Sequence, residues 1–164
     1  MQEAERTAAA AEPNEAPFDE ATRRVAKALG TVGNWMFSVA TRRRIMAASG
    51  INLSLGDYTL LAQLSHRGPE RLSVMAELMG VDKSTLTPPA KRLEARGLIE
   101  RSPDPSDARA QLVKVTRAGR LAIRKLWQAR AQAVAELMNG WETSDIADLA
   151  DNLAALAEAI EKRG

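Results

Sequence analysis

Between Leu72 and Thr116 the chain changes its hydrophobic period twice. Val74, Met75, Leu78 and Met79 recur at helical spacing. After a tight Gly80-Val81-Asp82 turn, Leu86 and Leu93 lie seven residues apart, so both can face one core. Gly97 then stops the second helix. Beyond it the period becomes two: Leu98 to Glu100 reads as a short strand, and Leu112, Val113 and Val115 around Lys114 read as its return. Ser73 is the expected N-cap of the first helix, and Asp82 or Ser84 that of the second. The Pro103–Arg109 segment between the strands is read as a loop too long for a minimal hairpin, with an arginine near its tip. Helix, turn, helix and hairpin in that order are the sequence form of a winged helix-turn-helix.

Few other chemistries remain open. There is no cysteine, which excludes disulfides, thiolate nucleophiles and thiol redox sensing. His66 is the sole histidine, so no multi-histidine metal site exists within one chain, and no catalytic residue, metal or cofactor is expected. No stretch approaches the roughly 20 apolar residues of a membrane span, and the acidic N-terminus is no secretory signal, so a cytoplasmic protein is expected. The formal net charge is only +2. From Lys83 to Arg117, however, there are eight basic and four acidic residues, so positive charge concentrates in this stretch.

The flanks read as support. Residues 1–17, rich in alanine and glutamate, are expected to form a disordered tail. A helix is expected over 18–50, with Val25, Leu29, Val32, Met36 and Val39 at heptad steps, Gly30 and Gly33 inside it, and Gly50 at its end. Arg42-Arg43-Arg44 reads as a solvated face. Ser54 is placed to cap a core helix through Leu60, Leu61 and Leu64, ended by Gly68-Pro69, with His66 favoured by the helix dipole. Thr116 is placed to cap a long helix to about Met138, with Ile123, Trp127, Ala131, Val134 and Met138 on one side. Thr143 or Ser144 is expected to start a last helix with Ile146, Leu149, Leu153, Leu156 and Ile160 at heptad steps. Two terminal seams exceed what so small a lobe can cover, so they are expected to be satisfied by each other and by a second copy; an intramolecular bundle is the alternative. The expected architecture is therefore mainly α with a small β-hairpin wing: dimerisation helices at 18–50 and 117–164 around a DNA-binding lobe at 51–116.

Ser84, Thr85, Thr87, Lys91 and Arg92 fall on or near the outer side of the second motif helix. Small hydroxyls followed by two bases suit a helix lying in a major groove, although an ordinary charged surface helix has the same composition. Arg109 is placed to reach a minor groove, and Asp107 to orient its guanidinium.

The run STLTPPAKRLEARGLIERSPDPSDARAQLVKVTRAGR, from Ser84 to Arg120, resembles the MarR family of bacterial regulators. Its S-T-x-T-x-x-x-x-R-L-E-x-x-G-L-[IV]-x-R segment falls on Ser84 to Arg101, its D-x-R wing on Asp107-Ala108-Arg109, and its L-T-x-x-G restart on Val115 to Gly119. The resemblance implies a homodimeric regulator, repressor or activator, on pseudo-palindromic double-stranded DNA, often released by a small aromatic effector. Trp35, Tyr58 and Trp127 are the candidate walls of such an effector site. Pro88-Pro89 departs from the pattern. A T-P pair there resembles the organic-hydroperoxide-sensing branch, but the second proline is unusual and that branch's cysteine is missing. A distorted or restarted first turn is expected, with Thr87 as a local cap and Pro88 opening the main helix. The double proline and low net charge also leave room for a winged-helix protein-interaction module that reads no DNA.

Overall fold

The computed structural model describes residues 19–163, so the expected 1–17 tail lies outside the described residues. The chain divides into two compact units at Arg42/Arg43. In the first, α1 (Glu20–Phe37) starts at Asp19, whose carboxylate accepts from the Thr22 N–H at 2.6 Å, and has no buried residue. The single helix expected over 18–50 is two. Ser38 turns extended (ψ 148°), and its Oγ accepts from the Thr41 N–H at 3.1 Å, so it caps a new helix, α2 (Val39–Ser49). Gly30 and Gly33, each unfavourable in a helix, stay helical.

The second unit holds the core. Helix α3 (Leu55–Arg67) opens with a full capping box between Ser54 and Asp57. A two-residue strand, β1 (Glu70–Arg71), runs directly into α4 (Leu72–Leu78), followed by α5 (Lys83–Ala95), β2 (Ile99–Asp104), β3 (Asp107–Val115), α6 (Arg117–Leu137) and α7 (Thr143–Glu161). The sheet is antiparallel in the order β1-β3-β2. Leu60, Leu61 and Leu64 of α3 meet Met75, Leu93, Ile99 and Val113 in a core of fully buried side chains. The first turn of α6 docks on the turn that follows α5. Thr116 accepts from the Gly119 N–H at 3.0 Å and donates to the Gly97 carbonyl at 2.6 Å. A Cβ on Gly119 would overlap the Leu98 carbonyl oxygen.

Both motif helices end alike. The Val81 N–H reaches back to the Ala76 carbonyl and the Gly80 N–H to that of Glu77; Leu98 to Leu93 and Gly97 to Glu94 repeat the pattern. Gly80 (φ 64°) and Gly97 (φ 67°) supply the left-handed residue this paired closure requires.

Several expectations are corrected. Ser73 does not cap α4: the strand feeds the helix at Arg71, leaving Ser73 one residue inside it. Leu78 does not face inward but is 50% exposed; Leu72, Met75 and Ala76 are the buried positions. Asp82 precedes α5 but makes no side-chain cap bond, and Glu142, rather than Thr143 or Ser144, precedes α7. The buried stripe of α6 is Gly119, Ala122, Ile123, Leu126, Ala129 and Ala133, which leaves Trp127 and Ala131 exposed. Helix α7 has no buried residue.

Pro88-Pro89 does not restart the helix. Helix α5 runs unbroken from Lys83 to Ala95 with both prolines inside. The two lost amides would have served the carbonyls of Ser84 and Thr85, both on exposed residues of the opening turns. Thr87 is no cap: its hydroxyl donates back to the Lys83 carbonyl at 2.9 Å.

The wing differs most. Its connection is only Pro105-Ser106, because β2 and β3 extend to Asp104 and Asp107. Side chains close this short turn. Asp104 Oδ1 accepts from the backbone N–H of Ser106 at 2.8 Å and from its hydroxyl at 2.7 Å, and Arg71 Nε donates to Asp104 Oδ2 at 2.6 Å. Pairing passes from Pro103↔Gln111 to Asp104↔Asp107, so residues 108–110 bulge from β3 without a partner on β2. Arg109 sits in that bulge, not in a loop.

Candidate nucleic-acid interface

Leu86, Pro89, Ala90 and Leu93 anchor α5 inward. Its opposite side presents Ser84, Thr85, Pro88 and Lys91 to solvent, while Thr87 is half-buried. Ser84, Pro88 and Lys91 follow one another at helical spacing, so they form the ridge of the outer face. Lys91 makes no ion pair among the described residues.

Arg92, expected on DNA, is half-exposed and bonded to Asp57. Its Nη2 donates to Asp57 Oδ1 at 2.7 Å and its Nε to the same oxygen at 3.0 Å. Burial pushes the Asp57 carboxyl up, but the bonds from Arg92 and Ser54 outweigh it and hold it below the usual carboxylate range. One carboxylate thus caps α3 and holds α5 at a fixed angle to it. Arg96 adds a second tether, donating to the Asn52 carbonyl at 2.5 Å.

Asp107 does not orient the Arg109 guanidinium. Its Oδ1 accepts from the Arg109 backbone N–H at 3.0 Å, and its Oδ2 lies 3.6 Å from Arg71. Arg71 therefore gathers both wing aspartates, and the Arg109 side chain makes no ion pair among the described residues. Hydrogen bonds from Ser106 and then Arg71 depress the Asp104 carboxyl to about 2.

Between the wing and the start of α5 lies a cleft lined by Arg71, Ser73, Lys83, Arg101, Arg109 and Gln111. Two of its cations are already paired, Arg71 with Asp104 and Arg101 with Glu94 at 3.0 Å. Lys83 and Arg109 make no such pair among the described residues, so the cleft keeps positive charge for an anion. Sequence reasoning missed Lys83, Arg71, Arg101 and Asp57. For Lys83 a signal existed, since it is the first helical residue after the turn; the partners of Arg71 and Asp57 lie 33 and 35 residues away, beyond any local pattern.

Of the candidate effector walls, Tyr58 and Trp127 are brought together by a residue sequence reasoning did not name. The Arg130 guanidinium lies 5.5 Å from the Tyr58 ring centre and 5.1 Å from that of Trp127. Trp35 lies in α1 of the first unit, half-buried. Among the described residues no acidic or histidine cluster could hold a metal ion, and no helix is long and apolar enough to cross a membrane.

The family model for the MarR family matches residues 53–110, from the residue before the α3 cap to the wing. YxaD, an HTH-type transcriptional regulator of Bacillus subtilis strain 168, is 37% identical over 94 residues, covering 57% of this chain and 66% of YxaD. The HTH-type transcriptional repressor NicR of Pseudomonas putida is 28% identical over 107 residues, covering 65% of this chain and 68% of NicR. These alignments thus span about two thirds of each relative. The crystal structure of transcriptional regulator Tm0710 from Thermotoga maritima superposes with a TM-score of 0.66 at 27% identity, over 88% of this chain and 97% of Tm0710. Fold, motif order and sequence agree: this chain belongs to the MarR family of transcriptional regulators.

Proposed function

We propose that the protein is a sequence-specific DNA-binding repressor that acts in the cytoplasm as a homodimer on a pseudo-palindromic operator. The observation that carries this reading is the outer face of α5 beside the basic cleft, where Lys83, Lys91 and Arg109 stand without acidic partners among the described residues. Helix α5 enters the major groove. Ser84 and Thr85 make short polar contacts, Lys83 and Lys91 meet phosphates, and Arg109 reaches the flanking minor groove from its bulge. Arg92 and Asp107 act at one remove, as positioning residues for α5 and the wing, and Thr87 lies at the margin of the face. The repressor sign follows the designation of NicR.

Half-sites about one turn (10 bp) apart require two such lobes. The stripes of α1 and α7 support the pairing: Val25, Leu29 and Val32, like Leu149, Leu153 and Ile160, are exposed apolar residues that a second copy would cover. Segments 18–50 and 117–164 are then the dimerisation parts. The Tyr58–Arg130–Trp127 stack supports an effector of the aromatic-acid kind, whose ring would compete for the aromatic faces and whose carboxylate would pair with Arg130.

The test is a fluorescence-anisotropy titration on duplexes from the region flanking the protein's own coding sequence, repeated across salt concentrations. Log affinity should fall linearly with log salt. Arg109→Ala should weaken binding about tenfold at fixed salt with its Tm unchanged. A protein-interaction module would prefer no fragment, and that result would sink the proposal.

A further inference from the structure

The wing is drawn back towards the rest of the lobe, and one guanidinium holds it there. Arg71 of β1 pairs with Leu112 of β3. In a regular strand Asp107, five residues before Leu112, would stand about 17 Å from it. The register shows otherwise. Pro103 faces Gln111 and Asp104 faces Asp107, so residues 108–110 add almost no length to the hairpin. The turn thereby comes within reach of Arg71. Its Nε donates to Asp104 Oδ2 at 2.6 Å, its Nη2 donates to Ser106 Oγ at 3.4 Å, and its Nη1 lies 3.6 Å from Asp107 Oδ2. One side chain thus touches the end of β2, the turn and the start of β3. Its own base is fixed, because the next residue, Leu72, is buried at the start of α4. Asp107 passes the restraint on: its Oδ1 accepts from the Arg109 N–H at 3.0 Å, inside the bulge.

Resting on the DNA-binding reading above, we propose that Arg71 is the positioning residue for minor-groove recognition: it pins the turn of the wing to the start of α4, and the slack this leaves in β3 is the bulge that carries Arg109. The task needs a fork. Arginine offers donors in several fixed directions, and here they meet three different residues; a lysine is a single point of charge without that geometry. Net charge is not what the position supplies, because Asp104 and Asp107 already answer it. Released from Arg71, the turn is free to leave α4, and Arg109 loses its fixed distance from α5. A side chain whose backbone is already held loses less freedom when it enters a groove, so the restraint strengthens binding without a contact of its own.

The test is a double-mutant cycle between positions 71 and 109, read by anisotropy on a duplex that the wild type binds. Arg71→Lys keeps the charge and removes the fork. It should weaken binding severalfold, towards the loss of about tenfold expected of Arg109→Ala, with the slope of log affinity against log salt unchanged. In the Arg109→Ala background the same substitution should cost about twofold at most, because no side chain is left to position. Should Arg71→Lys fail to fold, Asp104→Asn breaks the same grip from the side of the turn and runs through the same cycle. Binding like that of the wild type, or an equal loss in both backgrounds, would overturn the proposal; an equal loss would make Arg71 a DNA contact in its own right. Arg109→Ala without effect on a wild type that binds would overturn it as well, and leave α5 as the reader. A folded wild type that binds no fragment would overturn the DNA-binding reading itself, and this role with it.

Discussion

Helices α6 and α7 are close in length, 21 and 19 residues, and both carry apolar residues at helical steps. Their fates differ. The stripe of α6 is buried and is built on Gly119, Ala122, Ala129 and Ala133 with only two larger members, Ile123 and Leu126. Small residues let a helix axis approach its neighbour, and here they let α6 lie against the lobe. The stripe of α7 is made of leucine and isoleucine, with Leu153 48% and Ile160 64% exposed. Periodicity tells that a face needs a cover. The size of the residues on it tells more about what kind of cover: a close fit inside the chain in one case, a broad apolar partner in the other.

The contrast is broken most severely at Leu126. Leu126→Ala should cost about 2–5 kcal/mol in chemical denaturation, because the residue is 3% exposed and its loss leaves a cavity. The loss should be the same at low and high protein concentration, since its neighbours belong to the same chain. Leu153→Asp should do the reverse. It should leave the core intact yet shift sedimentation toward the monomer and remove the concentration dependence of the Tm. If Leu126→Ala depended on concentration and Leu153→Asp did not, the roles assigned to the two helices would be exchanged. A smaller effect is expected within the lobe at Asp57→Asn, which loosens the tether of α5 to α3. The Tm should fall by a few degrees, and DNA affinity should fall further than stability alone explains, because Arg92 no longer holds the helix in place.

The parts of this molecule legible in the sequence are those set by local rules. Gly68, Gly80 and Gly97 mark helix ends because each turn needs a positive φ, and Thr116 and Ser54 mark helix starts because their hydroxyls reach an amide three residues on. The outer face of α5 was legible from the seven-residue step between Leu86 and Leu93. What escaped depends on residues far apart in the chain. Nothing near Arg92 in the chain announces its bond to Asp57, 35 residues earlier, which gives it a structural part beside the expected one on DNA. Asp107 looked like a partner for Arg109, but Arg71 takes it. Pro103 and Pro105 suggested a long loop, whereas Asp104 closes a two-residue turn with side-chain bonds that strand propensity does not encode. The prolines of α5 misled for a related reason: their effect depends on what each ring meets, and the buried Pro89 packs against α3 while Pro88 lies on the exposed face.

The wing is held by charge where α6 is held by packing, and its disruption should cost least. Asp104 has its carboxyl at about 2 in the folded chain, against roughly 3.9 for an unperturbed aspartate. A depressed carboxylate stabilises the fold above the unfolded value, and that stabilisation is lost as the pH falls through the folded one. Between about pH 5 and pH 2, therefore, protonation of Asp104 should release Ser106 and Arg71 and open the turn. Amide exchange at Ser106 and Arg109 should accelerate over this window, after correction for its intrinsic pH dependence, while amides of the α6 stripe keep their protection until the whole lobe unfolds. Asp104→Asn should remove the window by making the wing equally mobile at neutral pH, with a change in global stability smaller than that of Asp57→Asn. If the amides of the wing and of α6 lost protection together, the wing would be part of the packed core, and its geometry would owe nothing separate to Arg71 and Asp104.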